Sequence, residues 1–216
     1  MRTPTGTIAI LAMLLATRAT AAELVVRIDD GRGAGVADAV VMVSPRSGAG
    51  QAQAHAPERR TIDQKNLAYV PYLEVFRPGD EVVFHNSDRT RHHVYSFSPV
   101  KAFEFVLASH ESSPPQTLDK LGAVAVGCNI HDQMIAWLYV SDAPWLARTG
   151  TGGDVRFRHV PPGDYRVRVW HPRLDARGET VDRRVTLHDA ASRSLDIALR
   201  LRPDARAQPD RERADY

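Results

Sequence analysis

The chain has 216 residues, of which 43% are hydrophobic and 25% are charged, a composition typical of an ordinary soluble globular protein. This length is sufficient for one large or two small domains with a buried core. The 28 Lys and Arg residues and the 26 Asp and Glu residues are interleaved and give a net charge of only +2. Because a nucleic-acid-binding protein typically has a clustered basic stripe, we expect no nucleic-acid partner.

The first 22 residues differ in kind from the rest of the chain. Arg2 precedes an apolar stretch over residues 8–16, and small residues at 19–22 supply a cleavage site, as is typical of a secretory signal peptide. The apolar stretch is too short to cross a bilayer as a helix, so we expect export without stable membrane insertion. A buried N-terminal helix is the alternative. The signal peptide, residues 1–22, predicts a periplasmic protein.

Short β-branched and apolar runs recur along the mature chain, with turn residues between them. Residues 23–44 hold two such runs around a Gly-rich turn, and residues 45–60 are predicted to form a linker because they lack large apolar side chains. Several short runs over 61–142 predict a sandwich or barrel, and further strands are predicted over 148–201. The charged segment 202–216 is predicted to be a disordered tail. The predicted fold class is therefore all-β.

Cys128 is the only cysteine of the sequence. In an oxidising compartment it is a free thiol, an intermolecular partner or a metal ligand. His131 and Met134 follow it at intervals of three residues. A thiolate, an imidazole and a thioether are ligand types of a blue-copper site, which needs one more histidine. His92 and His93 are candidates, and only one of them can face the cysteine loop if both lie in a strand.

The stretch from residue 70 to residue 140 resembles the cupredoxins, the plastocyanin and amicyanin group of periplasmic blue-copper proteins. The run C-N-I-H-D-Q-M has the Cys-x2-His-x2-Met spacing of the amicyanin type, and N-S-D-R-T-R-H-H-V aligns with the segment that supplies the first histidine. The resemblance implies a Greek-key β-sandwich. It also implies one copper ion, cycling between Cu²⁺ and Cu⁺, with four protein ligands: His92, Cys128, His131 and axial Met134. A nucleophilic Cys–His pair is the enzymatic alternative, but it leaves Met134 unexplained, so we expect no enzyme.

Two positions depart from the cupredoxin pattern. Ile130 stands where the family commonly has proline, and its backbone N–H could donate to the sulfur of Cys128, which predicts a raised reduction potential. His93 stands where the family usually has asparagine. This substitution leaves open how the two ligand-bearing loops are tied together.

Both ends of the chain carry a second resemblance. The runs L-V-V-R-I-D-D-G-R-G-A-G and G-D-V-R-F-R-H-V-P-P-G-D-Y are similar to parts of a prealbumin-type, carboxypeptidase-regulatory-like β-sandwich. The resemblance implies a discontinuous second sandwich from residues 23–44 and 148–201, beside a cupredoxin domain at 61–142. The alternative is that residues 23–44 are the first cupredoxin strands. The whole arrangement also resembles proteins labelled methylamine utilization proteins, a name that implies periplasmic amine oxidation.

Two functions remain open at this point. The first is a one-electron carrier that exchanges electrons with a redox partner protein through His131, with an apolar docking patch formed by Ile130, Ile135 and Trp137. The second is a copper-binding or copper-delivery module without fast electron transfer.

Three further histidines have no predicted ligand role. His55 lies in the linker and is expected to be solvated, and His85 is expected on the outward face of a strand. Trp170 is expected in the core and His171 at the end of a strand, with a place for His171 at the copper face as the alternative.

Overall fold

The structure is a computed structural model that describes the following residues: 22–47, 55–174, 180–188, 192–204 and 206. The predicted signal peptide, apart from Ala22, lies outside them. All regular elements among the described residues are strands, which confirms the all-β prediction. None of the described residues belongs to a helix long and apolar enough to span a membrane.

In chain order the strands are β1 (Ala22–Asp29), β2 (Val40–Pro45), β3 (Arg59–Gln64), β4 (Tyr69–Val70), β5 (Leu73–Phe76), β6 (Asp80–Asn86), β7 (His92–Phe97), β8 (Ala102–Leu107), β9 (Gln116–Leu118), β10 (Gly122–Cys128), β11 (Ile135–Val140), β12 (Trp145–Arg148), β13 (Asp154–Val160), β14 (Gly163–Trp170), β15 (Val181–Leu187) and β16 (Ser192–Ala198).

The central part of the chain folds into two sheets around one core. The sheets have the strand orders β4-β3-β6-β9 and β5-β11-β10-β7-β8. Buried and more exposed residues alternate along β6 and β7, so each strand turns one face to the core. Phe76, Phe84 and Leu138 are among the fully buried side chains of this core.

The two ends of the chain form a second pair of sheets, with the orders β13-β1-β16 and β12-β2-β14-β15. The N-terminal strands β1 and β2 therefore pair with C-terminal strands, not with those between residues 59 and 140. Leu24, Val41 and Val167 belong to a core of their own. The sequence pattern predicted strands in this region from residue 148 onward, but strand β12 already begins at Trp145.

The two pairs of sheets contact each other through their outer faces. A third apolar cluster joins Val40 and Trp170, from the sheet of β2 and β14, to Leu73 and Tyr139, from the sheet of β5 and β11. The ring centroid of Trp170 lies 4.7 Å from that of Tyr139 and 5.6 Å from that of Trp137. Trp170, which was predicted to fill a core, fills this interface.

The predicted linker, residues 45–60, is only partly described, because residues 48–54 lie outside the described part of the chain. His55 was expected to be solvated. Its Nε2 instead lies 2.6 Å from Oδ1 of Asp80, whose side chain is fully buried. A buried carboxylate needs polar partners, so the distant Asp80 fixes the position of this histidine.

The predicted disordered tail begins with residues that contact the rest of the chain. Arg202 accepts a hydrogen bond at its carbonyl from Nε of Arg173, at 2.7 Å. The guanidinium carbon of Arg206 lies 3.4 Å from the ring centroid of Tyr72, which is a cation–π contact. The contacts of Arg202 and Arg206 are made without apolar side chains in this segment, whose absence was the basis for predicting disorder; residue 205 and residues 207–216 lie outside the described part.

Candidate metal site

The candidate ligands lie where two neighbouring strands end. Strand β7 begins with His92, β10 ends with Cys128, and the two strands pair antiparallel with Cys128 opposite Val94. Antiparallel pairing brings the start of one strand beside the end of the other, and the strand alternation turns both side chains inward. The exposed fraction is 0% for His92 and 3% for Cys128.

The loop from Cys128 to Met134 closes on itself through backbone hydrogen bonds. The N–H of Cys128 donates to the carbonyl of Met134 at 3.1 Å, and the N–H of Met134 donates to the carbonyl of His131 at 3.0 Å. The side chain of Met134 is buried in the same apolar core as Cys128. The loop therefore holds the imidazole of His131 and the thioether of Met134 on the same short segment as the thiol.

Three of the four predicted ligands present donor atoms to one another. Sγ of Cys128 lies 3.8 Å from Nδ1 of His92 and 3.7 Å from Nδ1 of His131. One ligand atom from each of the three residues lies within 4.8 Å of the others, and no second group of at least three His, Cys, Asp or Glu residues within the described ranges meets this condition.

The two sulfur–nitrogen distances fit a single metal ion that would be held by the sulfur and both nitrogens. With metal–nitrogen and metal–sulfur bonds of about 2.0 and 2.3 Å, as at zinc sites, and an angle of about 120° between them, nitrogen and sulfur lie about 3.7 Å apart. The two observed separations, 3.7 and 3.8 Å, agree with this value. The side chains are therefore already spaced for a metal ion between them.

Asp88 orients the buried histidine from the side opposite to the thiol. Nε2 of His92 lies 2.9 Å from Oδ2 of Asp88. Burial opposes ionisation of the Asp88 carboxyl, but hydrogen bonds from Leu67, His92 and Asn66 lower its pKa below the usual value. An ionised carboxylate only accepts hydrogen bonds, so Nε2 of His92 carries the proton and, in the neutral ring, Nδ1 offers its lone pair. This is the usual arrangement of a metal-ligating histidine.

His93, the alternative ligand, points away from the thiol. Its Nε2 lies 2.8 Å from Oε1 of Glu104, on the outer face of the sheet. The backbone of His93 nevertheless joins the two loops, because its carbonyl accepts a hydrogen bond from the N–H of Asn129 at 3.1 Å. The two ligand-bearing loops are thus joined by a main-chain hydrogen bond, which does not depend on whether residue 93 is histidine or asparagine.

Asn86 fixes the loop between β6 and β7. The side chain is fully buried, and its Nδ2 donates to the carbonyls of Thr90 at 2.8 Å and Ala108 at 3.0 Å. Its Oδ1 accepts a hydrogen bond from the N–H of Asp88 at 2.9 Å. Asn86 therefore positions the carboxylate that in turn holds His92.

The other two histidines of this region lie outside the metal group. Nδ1 of His85 lies 2.9 Å from Oγ of Ser112. His171 is buried, with an exposed fraction of 4%, and its Nδ1 accepts a hydrogen bond from the N–H of Arg173 at 3.0 Å. Burial and the nearby Arg173 lower the pKa of His171 to about 4.

Sequence reasoning missed two features of the site. Asp88 is a carboxylate four residues before a candidate histidine, which is visible in the sequence. That spacing alone does not show that the carboxylate contacts Nε2 of His92. Gly127, next to Cys128, also has a packing role: a Cβ there would lie 2.8 Å from the ring of Tyr95. The hydroxyl of Tyr69 donates to the carbonyl of Gly127 at 3.0 Å. Two aromatic side chains thus pack on the residue that precedes the thiol.

No protein-family profile and no curated protein matches the chain significantly. Among solved structures, the copper-containing nitrite reductase of Thermus scotoductus SA-01 is similar over 45% of this chain and 25% of its own, with 21% identity and a TM-score of 0.36. Two amicyanin variants in the Cu(I) form are similar over 47% and 46% of this chain and 98% and 99% of theirs, with 16% and 18% identity and TM-scores of 0.35 and 0.36. At these TM-scores the likeness decides nothing about chemistry, which rests on the geometry of the site itself.

Proposed function

We propose that the protein is a periplasmic type 1 copper protein that carries one electron at a time. The observation that supports this most directly is the spacing of Sγ of Cys128 from the two Nδ1 atoms, 3.8 Å for His92 and 3.7 Å for His131. A thiolate, two imidazoles and a thioether from Met134 form the donor set that suits copper in this geometry. Bound copper would supply a one-electron couple between Cu²⁺ and Cu⁺.

The donor set favours copper over zinc. Structural zinc sites use Cys, His and carboxylate ligands in a tetrahedral arrangement, and methionine is not among them. Met134 is buried in the same apolar core as Cys128 and lies on the same loop, so it is the residue that would supply a thioether in place of a harder ligand. A weak axial thioether is characteristic of blue-copper electron-transfer sites.

The chain's own residues hold the donors in a fixed arrangement. His92 and Cys128 are buried at strand ends, where the sheet excludes water and restricts movement. His131 is only half-buried and lies on the loop, so it is the ligand through which we expect electrons to leave.

The apolar docking patch is centred on Ile130, which is 41% exposed. Ile135 and Trp137 are half-buried, and the ring of Trp137 packs edge-on against Trp170 at the interface between the two pairs of sheets. Trp137 therefore contributes less to an open surface than the sequence predicted. A redox partner protein would approach over Ile130 and His131.

We further propose that residues 1–22 direct export and that the chain has two domains, one from residues 61–142 and one from residues 23–44 and 148–201. Each is supported by a separate apolar core. We propose no catalytic activity for either domain.

Voltammetry of the copper-loaded mature protein tests this function. A carrier gives a reversible couple, retains copper over many cycles and exchanges electrons rapidly between its oxidised and reduced forms. Irreversible behaviour, together with rapid transfer of Cu⁺ to a chelator, would contradict the carrier and support copper delivery instead. The Cys128→Ser variant serves as the control, since it removes the thiolate and should abolish the couple.

A further inference from the structure

The two parts of the chain carry opposite net charges. Residues 55–144 contain eight Lys and Arg residues and eleven Asp and Glu residues, a net charge of −3. Residues 22–47 and 145–206, which form the second pair of sheets, contain sixteen Arg residues and twelve Asp and Glu residues, a net charge of +4. The near-neutral total therefore hides a basic region in the part of the chain that does not supply the candidate metal ligands.

The basic charge is concentrated in an open cleft on the sheet of β2, β14 and β15. The cleft has a volume of about 960 Å³, which lies within the range of ligand-binding clefts. Its charged lining consists of five arginines and one aspartate: Arg46, Arg166, Arg168, Arg183, Arg184 and Asp182.

The strand register places like charges opposite each other in this cleft. Arg166 of β14 lies directly opposite Arg184 of β15, and Arg168 lies opposite Asp182. Like charges at directly opposed positions destabilise a sheet, and an anion bound between them would relieve the repulsion.

The single carboxylate of the cleft is already engaged. Both guanidinium nitrogens Nε and Nη2 of Arg166 donate to Asp182, at 2.8 and 2.6 Å. Among the described residues, Arg168 and Arg184 form no ion pair. Two guanidinium groups are therefore available to an incoming anion.

The lining of the cleft contains none of the candidate metal ligands. Strand β14 ends at Trp170, whose ring packs against Trp137. Trp137 lies three residues after Met134, the last residue of the ligand loop. Arg166 is four residues back from Trp170 along the strand, or about 13 Å.

We propose that this arginine cleft binds the phosphate groups of an anionic ligand. The planar guanidinium group donates two parallel hydrogen bonds to a phosphate, so Arg168 and Arg184 together fit a ligand with two phosphate groups or a lipid phosphate surface. The inference needs no metal and stands independently of the proposed electron-carrier function.

Titration calorimetry of the full mature protein with inorganic pyrophosphate tests the proposal. We expect binding that weakens at least about tenfold in the Arg168→Gln/Arg184→Gln double variant, because both charge-assisted contacts are lost. The matched control is Arg27→Gln/Arg158→Gln, which removes the same charge from exposed positions on β1 and β13 of the other sheet. We expect the control to weaken binding less than about twofold.

Sedimentation with phosphatidylglycerol vesicles distinguishes the two sources of phosphate. Vesicle binding with the same dependence on the cleft arginines assigns a lipid headgroup, and pyrophosphate binding without vesicle binding assigns a soluble phosphate; both support the proposal. Equal weakening in the two double variants would show general charge attraction and overturn it. Absence of binding to both pyrophosphate and vesicles, or cleft-dependent binding of a polyglutamate peptide alone, would overturn it as well.

Discussion

Removal of the Asp88 carboxylate tests how the chain orients its buried histidine. The carboxylate accepts three hydrogen bonds: from Nε2 of His92 at 2.9 Å, from the N–H of Asn66 at 2.6 Å and from the N–H of Leu67 at 3.0 Å. Its side chain is 13% exposed, so water replaces these contacts poorly. Substitution at this position should therefore act on the metal site through the imidazole.

The expected loss of metal affinity depends on which oxygen acceptors remain at position 88. In Asp88→Asn the amide oxygen can replace Oδ2, which keeps the bond from His92 but loses the negative charge and the bond from Asn66. In Asp88→Ala all three bonds are lost. Partners of metal-ligating histidines typically contribute about 10- to 100-fold in metal affinity, so we expect the asparagine variant near the lower value and the alanine variant near the upper. These factors correspond to about 1.4 and 2.7 kcal/mol.

Competition titration with a Cu⁺ chelator measures the affinity of each variant. Glu104→Gln is the matched control, since Glu104 makes the corresponding bond to Nε2 of His93, which points away from the thiol. We expect the control to bind copper like the unmodified protein. Equal affinities in Asp88→Ala and Glu104→Gln would refute the role of Asp88 in orienting His92.

Three further predictions concern the ligand loop, a buried histidine and a turn. Ile130→Pro removes a backbone N–H beside the thiol and should lower the reduction potential measured by voltammetry, whereas Ile130→Ala should not; equal potentials would exclude the N–H···S bond. Burial lowers the pKa of His171 to about 4, so the folded protein favours the neutral ring. The free energy of unfolding should therefore be highest above about pH 6.5 and should fall by about 2 kcal/mol at about pH 5. Urea unfolding at both pH values measures this loss, which should shrink in His171→Gln and persist in His188→Gln; persistence in both would contradict the assignment. Gly153→Ala places a Cβ against neighbouring backbone at a φ of 76° and should lower the free energy of unfolding by about 2–5 kcal/mol. In the control Gly150→Ala the new Cβ meets open space, so the loss should be far smaller. Similar unfolding midpoints in the two variants would contradict the steric argument.

The ligand loop could be predicted from the sequence because its three candidate ligands are close together along the chain. Cys128, His131 and Met134 lie within seven consecutive residues, so their spacing alone brings their donors to one loop. Strand alternation likewise required that only one of His92 and His93 face the thiol. The choice between them depended on the pairing of β7 with β10, which the sequence pattern does not contain.

Contacts between distant segments could not be predicted in this way. Strand β1 pairs in parallel with β16 across more than 160 residues, and nothing in either run specifies that partner or its register. His55 was expected in solvent because its neighbours are polar, yet the buried Asp80 holds it. The role of Asp88 depended on the path of a loop that Asn86 fixes from within.

The proposed function depends first on Cys128 as a thiolate ligand to copper. The most direct measurement is the visible absorption spectrum of the mature protein after addition of Cu²⁺. We expect an intense blue thiolate-to-copper charge-transfer band that disappears in Cys128→Ser. Absence of the band in the unmodified protein, or its persistence in the serine variant, would show that Cys128 is not a thiolate ligand to copper.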